Sequence, residues 1–112
     1  MTNLLHVPDA LIDRDREFFE TLFTASGEIR VERIISHGQT TPEGEWYDQE
    51  QDEWVMVVEG TARIAYPDGS GISLAKGDYL FLPRHVRHRV AYTSAPCVWL
   101  AIFGELRERL FW

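Results

Sequence analysis

Four side chains in the middle of the chain have types and spacing that could do acid–base chemistry. Glu53 and Tyr47 lie in one short segment, and His85 and His88 lie in a second segment further along. An imidazole beside a buried carboxylate forms a proton-transfer pair whose pKa the surroundings can tune. His88 with Glu53, or His85 with Tyr47, could therefore work as an acid–base pair, which makes Glu53, His88 and Tyr47 the candidate catalytic residues.

The same segments also offer a set of metal ligands. Asp48, Glu53 and His88 would supply two carboxylates and one imidazole. This combination suits a divalent first-row metal that keeps open positions for water or substrate. The alternative is a metal-free pocket in which Glu53 and His88 hydrogen-bond with Tyr47 and Gln49. The sequence leaves both interpretations open.

The sequence also does not decide which of the residues before Glu53 face a pocket. Side chains two apart in a strand share a face, so Trp46 lies with Asp48, whereas Tyr47 lies with Gln49. His85 lies three residues before His88 and would face away on a flat strand, although a turn after Pro83 could rotate it inward. The candidate ligand-binding residues are Gln49, His85 and Trp46.

The elements that must position these residues are short strands. Each is rich in β-branched or aromatic residues and is bounded by Gly, Pro or Asp. The predicted strands are 28–35, 53–59, 61–66, 71–74, 79–82, 86–93 and 98–103. Many short strands at close spacing are typical of an all-β sandwich or barrel.

One helix is predicted ahead of the strands. Phe18, Phe19, Leu22 and Phe23 recur at spacings of three and four, which predicts a helix over residues 15–25. A helix of about three turns is marginal alone and needs a surface to pack against.

Length and charge exclude several classes of protein. The 112 residues form one domain, and the net charge of −7 offers no basic face to nucleic acid or an anionic membrane. The single cysteine, Cys97, rules out an internal disulfide. No signal peptide is visible, and no apolar run approaches the ~20 residues that span a bilayer. We therefore expect a cytoplasmic protein.

The two segments resemble the two signature motifs of the cupin superfamily. Six residues separate Glu53 from Gly60, five separate Gly77 from Pro83, and His88 occupies the place of the second motif's histidine. The resemblance implies a double-stranded β-helix, the jelly-roll barrel of that family. The chain looks closest to small single-domain cupins that carry a Trp-Tyr-Asp-Gln block before the first-motif glutamate.

The chain departs from the family pattern at the first motif, because neither of its histidines is present. A four-residue spacer before Glu53 puts Trp46 and Asp48 at those places, and a three-residue spacer puts Tyr47 and Gln49 there. The resemblance implies a cupin that binds a divalent metal and a small molecule, as a metal-dependent oxygenase or isomerase. The alternative is a non-catalytic ligand-binding or sensory module with incomplete metal ligation.

The predicted organisation is a single cupin domain with apolar surface left over. An arm with the helix occupies residues 1–27, the barrel 28–103 and a tail 104–112. Trp54, Met56 and Val58 alternate on the face opposite Glu53 and so point out of the barrel. Together with the apolar end of the tail, Leu110-Phe111-Trp112, this stripe predicts a homodimer. In the alternative, the predicted helix covers the stripe within one subunit.

Overall fold

The computed structural model describes residues 2–13 and 15–108, which are almost entirely β-structure. The strands in this part of the chain are β1 Thr2–Asn3, β2 Phe23–Ser36, β3 Asp52–Glu59, β4 Ala62–Ala65, β5 Gly71–Leu74, β6 Asp78–Leu82, β7 Arg89–Thr93 and β8 Cys97–Glu108. The helical content described is a single 3₁₀ turn at Asp9–Leu11. Within the described ranges, no helix has the length and apolar character needed to cross a membrane.

The strands form two antiparallel sheets, which confirms the predicted all-β jelly roll. One sheet has the order β1-β6-β3-β8-β2 and the other has the order β5-β4-β7. Side chains from both sheets form a single core, because each sheet turns one apolar face toward the other. The buried core residues are Val55, Val57, Ala62, Ile64, Leu74, Leu82, Cys97, Trp99, Ala101 and Phe103.

Strand β3 has two faces with different surroundings, as its alternating sequence predicts. Glu53 and Val55 line a cavity inside the barrel. Trp54 lies on the opposite face, where its ring centroid is 5.6 Å from that of Phe23 and 5.3 Å from that of Tyr79. The chain around Phe23 therefore covers part of the outer surface of the sheet.

The predicted helix over residues 15–25 is wrong. Residues 17–22 have no regular structure, and β2 already begins at Phe23. A short helix would need an apolar surface along its whole length. Phe19 is 82% exposed and has no such surface, whereas Phe23 packs on Trp54 from an extended backbone.

The barrel also extends beyond its predicted limits of 28 and 103. Strands β2 and β8 continue as a two-stranded ribbon in which Phe23 pairs with Glu108. Much of the predicted tail is thus strand. Its apolar end, 110–112, lies outside the described residues.

Candidate functional site

One cavity collects most of the predicted functional residues. It has a volume of about 470 Å³, and its lining includes residues of β2 and of the loop that follows β2. Its floor is apolar and consists of core side chains such as Val55, Ile64, Leu82, Trp99 and Phe103. Its polar wall includes Arg30, Glu32, Gln39, Tyr47, Gln49, Glu53 and His88. This size and this mixture of surfaces are typical of a small-molecule site.

Glu53 is a buried carboxyl group in the cavity wall. The residue is only 7% exposed. Burial raises the pKa of Glu53 from 4.5 to about 7, because the charged form loses its hydration. A hydrogen bond from the Gln49 amide opposes this rise, and nearby Glu32 and Arg30 contribute smaller effects of opposite sign. Near neutral pH the carboxyl group is therefore about half protonated.

His88 is a buried imidazole in the same wall. It is 4% exposed, and its Nδ1 lies 3.0 Å from the carbonyl oxygen of Val86. A carbonyl can only accept, so Nδ1 carries the proton and Nε2 keeps its lone pair. Burial lowers the pKa of His88, and the bond to Val86 offsets only part of this effect. At neutral pH the ring is uncharged, with Nε2 able to accept a proton.

Tyr47 fixes which face of the first motif lines the cavity. Its backbone exchanges two hydrogen bonds with His88, at N–O distances of 2.8 and 3.2 Å. The two rings stack with centroids 5.6 Å apart. This bridge puts Tyr47 and Gln49 in the wall of the cavity. The positions given by the three-residue spacer are therefore the ones that face the site.

Asp48 and His85 form a separate pair on the rim. The carboxylate oxygen Oδ1 of Asp48 lies 2.7 Å from Nδ1 of His85, and the side chains are 51% and 56% exposed. His85 has φ 63°, a left-handed backbone conformation that is uncommon for a residue other than glycine. Neither residue lines the cavity. The predicted pairing of His85 with Tyr47 is not formed.

The predicted metal set is likewise not assembled. Asp48 lies with His85, away from the cavity that Glu53 and His88 line. Across residues 2–13 and 15–108, no group of three or more His, Cys, Asp or Glu side chains is placed to hold an ion. Glu32 also lines the cavity, but its carboxylate is paired with Arg30. The other donors beside Glu53 and His88 are the neutral amide of Gln49 and the phenol of Tyr47, which are weak ligands for a late transition metal. The described residues therefore do not fit a resident divalent ion.

Trp46 also lies outside the cavity lining. The guanidinium groups of Arg87 and Arg89 each lie 6.0 Å from its ring centroid. Trp46, which was predicted to bind the ligand, thus lies against two cations rather than in the cavity wall.

Sequence reasoning missed the contribution of β2 to the wall. Arg30 and Glu32 line the cavity, and Arg30 Nε donates to Glu32 Oε2 at 2.8 Å. The available signal was alternation: residues 30, 32, 34 and 36 share one face of the strand, and all four line the cavity.

A buried carboxylate outside the cavity anchors the loop that carries His88. Asp52 accepts hydrogen bonds from the backbone N–H groups of Arg84 at 2.8 Å and Leu106 at 3.0 Å. The guanidinium of Arg84 adds a contact at 3.2 Å. These bonds join the start of β3 to the second motif and to β8.

Comparison with known proteins agrees with this architecture. The family model described as "Cupin domain" matches residues 32–103. A structure from Ralstonia eutropha JMP134, provisionally named a mannose-6-phosphate isomerase, is 46% identical and has a TM-score of 0.66, covering 75% of this chain and 83% of its own. A cupin from Shewanella frigidimarina is 25% identical with a TM-score of 0.56, covering 68% of this chain and 65% of its own.

A cupin superfamily protein from Desulfitobacterium hafniense shares the fold at 17% identity. Its TM-score is 0.59, and the match covers 85% of this chain and 95% of that one. Comparison with curated proteins gave no match. The family model spans well over half of the sequence, and the motifs it covers form the wall of the cavity. The chain therefore belongs to the cupin family.

Proposed function

We propose that this cupin binds a small molecule in its barrel cavity and moves a proton between two of its atoms, as an isomerase that holds no resident metal. The single observation that carries the proposal is the pair Glu53 and His88. Both are buried in the wall of one cavity. Burial raises the pKa of Glu53 and lowers that of His88, so that near neutral pH the carboxyl group can hold a proton while the imidazole is free of its second one. One group can then donate a proton while the other accepts one.

The proposed step is a proton transfer next to a carbonyl group. Nε2 of His88 removes a proton from the carbon beside the carbonyl, and the electron pair of that C–H bond forms a C=C bond. The protonated carboxyl group of Glu53 gives its proton to the carbonyl oxygen, which yields an enediol. His88 and Glu53 then complete the isomerisation by returning a proton to the neighbouring carbon and removing one from the other oxygen.

The cavity favours a small, uncharged hydroxy-carbonyl compound. Its floor is apolar, and the one cation among its described lining residues is Arg30, which pairs with Glu32. A phosphate group would compete with that carboxylate for a single guanidinium. A phosphorylated sugar therefore fits this cavity poorly. The name of the Ralstonia protein supports the isomerase class but not its phosphorylated substrate.

The experiment is hydrogen–deuterium exchange followed by proton NMR in D₂O, with hydroxyacetone as the first probe. We expect the wild-type protein to incorporate deuterium beside the carbonyl, and E53Q and H88A to lose most of this rate. H6A is the matched control, since His6 is exposed and lies away from the cavity lining. A wild-type rate no greater than that of both variants, across a panel of small hydroxy ketones, would contradict the isomerase.

The absence of a resident metal is tested separately. Elemental analysis of protein purified without chelator should find well below one equivalent of any transition metal per chain. A stoichiometric metal that is lost in H88A would overturn this part of the proposal and return the site to a metal-dependent oxygenase or isomerase.

A non-catalytic ligand-binding or sensory module is the second candidate. It is favoured by the replacement of both first-motif histidines by Tyr47 and Gln49, which leaves the metal chemistry of the family without its ligands. Titration with hydroxyacetone would then shift the amide signals of cavity residues although no deuterium is incorporated.

A further inference from the structure

A second cavity lies on the outer face of the five-stranded sheet, and we call it the outer cavity. Its volume is about 260 Å³, and its described lining includes three aromatic side chains and two carboxylates: Trp54, Tyr79, Phe81, Glu20 and Glu108. Trp54 stands on the face of β3 opposite Glu53. The described linings of the outer cavity and of the barrel cavity share no residue, so the two are separate sites.

We propose that the outer cavity binds a small organic cation, an alkylated ammonium ion, between its aromatic rings and its two carboxylates. The rings would receive the alkyl groups, and the carboxylates would balance the positive charge. The inference does not depend on the proposed reaction in the barrel cavity.

The aromatic wall favours a cation that has an apolar surface. The strand register places Trp54 opposite Phe81, and Tyr79 lies two positions before Phe81, so the three rings share one face of the sheet. The ring centroids of Trp54 and Tyr79 are 5.3 Å apart, and the ring planes are inclined at 34°. A cation within about 6 Å of a ring centroid is attracted by the negative face of the ring, and tryptophan attracts it most strongly. Rings this close together allow one cation to interact with more than one of them.

The charged side chains of the outer cavity also favour a positive ligand. Glu20 and Glu108 are exposed, and the lining that the structure describes contains no lysine, arginine or histidine. Neither carboxylate forms an ion pair with a side chain in the ranges 2–13 and 15–108. Both negative charges are therefore available to a cation, and they disfavour an anion.

A metal ion fits the outer cavity less well than an organic cation does. Ca²⁺ and Mg²⁺ are held by shells of oxygen ligands, and Zn²⁺ by nitrogen, sulfur and oxygen. In the part of the chain that the structure describes, no group of three or more His, Cys, Asp or Glu side chains is placed to hold a metal. An alkylated ammonium ion needs no such shell, because its alkyl groups pack directly on the rings.

Trp54 also has an unused hydrogen-bond donor. The residue is 5% exposed, and its Nε1 has no acceptor among the described residues. A buried donor without a partner is rare in folded proteins, and an oxygen atom of a ligand would satisfy it. An ammonium ion that also carries a hydroxyl group combines both features, which makes choline the probe of choice.

The first test is an NMR titration with choline that follows the indole N–H signals. The sequence contains four tryptophans, and the signal of Trp54 is the one missing from W54F. We expect this signal to shift with a dissociation constant of about 1–10 mM, the range that a few cation–π contacts can supply. Trp99 lines the barrel cavity and is the internal control, whose signal should stay in place. A shift of the Trp99 signal alone, or none at either residue, would contradict the proposal.

The second test removes the charge from the ligand. The neutral alcohol 3,3-dimethylbutan-1-ol has the shape of choline with a carbon atom in place of the nitrogen. It should bind at least about 5-fold more weakly, because it loses the attraction of both the rings and the carboxylates. Equal affinity for the two compounds would show an apolar pocket without selectivity for cations, and would overturn the proposal.

The third test removes the charge from the protein. E20Q/E108Q should weaken choline binding about 3- to 10-fold and leave binding of the neutral alcohol unchanged. E17Q/E105Q is the matched control: it removes two carboxylates close by in the chain, and neither Glu17 nor Glu105 lines the outer cavity. This control should bind choline as the wild type does. An equal loss in both double variants would assign the effect to net charge alone and would contradict the site.

Discussion

The cavity wall and the rim just outside it contain the same two chemical groups in different surroundings. Inside, Glu53 and His88 are 7% and 4% exposed. Burial raises the pKa of Glu53 and lowers the pKa of His88, so that the neutral form of each is favoured. On the rim, Asp48 and His85 are half exposed and bind each other at 2.7 Å. The same two residue types therefore differ in burial and in access to the cavity, and only the buried pair lines the site that we propose to bind a ligand.

The largest expected difference between the two regions is in proton exchange. E53Q and H88Q should lower the rate with hydroxyacetone by about 10²–10⁴-fold, the usual contribution of a positioned acid or base. D48N and H85Q should leave the rate close to that of the wild type, because neither residue lines the cavity. An equal loss in the rim variants would remove the distinction between the two pairs.

The next difference is in how stability depends on pH. The pKa of Glu53 is raised from 4.5 to about 7 on folding, so the folded protein binds more protons than the unfolded chain between these values. Stability from this group is thus fully present below pH 4.5 and is lost as pH rises to 7. When the pH is raised from 5 to 8, the free energy of unfolding of the wild type should therefore fall by up to about 3 kcal/mol more than that of E53Q.

Urea unfolding at the two pH values measures this difference. A wild type and E53Q with parallel pH dependence would show that Glu53 ionises normally in the folded state.

Asp52 and Asp48 are both carboxylates outside the cavity, but their removal should lower the free energy of unfolding by different amounts. D52A should cost about 2–3 kcal/mol of unfolding free energy, since two backbone N–H groups and one guanidinium lose their acceptor. D48A should cost less than about 1 kcal/mol, because exposed ion pairs contribute little. Urea unfolding at pH 7 compares them, and a larger loss in D48A would contradict this assignment.

The smallest effect concerns the left-handed conformation of His85. H85G removes the exposed bond to Asp48 but relieves a left-handed conformation that costs about 1–2 kcal/mol in other residues. The two effects offset, so the melting temperature should hardly change. R87G, two residues further along, is the comparison and should lower it, because Arg87 does not have a positive φ and its guanidinium lies near the Trp46 ring. A large loss in H85G alone would show that the rim pair holds the turn.

Much of the barrel could be predicted from the sequence, because its strands are dense in β-branched residues and end at glycine or proline. The helix over 15–25 could not be judged from spacing alone. Phe18, Phe19, Leu22 and Phe23 would form a helical face only if a surface covered all four, yet Phe19 faces solvent. Tertiary contacts decided the conformation, since Phe23 reaches Trp54 from an extended chain.

The site was predictable only where motif spacing fixes the strand register. Glu53 and His88 both line the cavity, and each stands at a fixed distance from a turn in the sequence. The choice between Tyr47 and Asp48 depends on the bridge from Tyr47 to His88, which joins residues far apart in sequence. The pairing of His85 with Asp48 also joins two distant segments, and the positive φ of His85 could not be predicted from its residue type.

The measurement that tests the account most directly is an NMR titration of the labelled protein that follows the Glu53 carboxyl carbon and the His88 ring nitrogens. We expect Glu53 to titrate with a midpoint of about 7. His88 should be neutral at pH 7, with its proton on Nδ1 and a midpoint below 6.5. A Glu53 midpoint near 4.5, or a His88 ring that is charged or protonated on Nε2 at pH 7, would contradict the proposed acid–base pair.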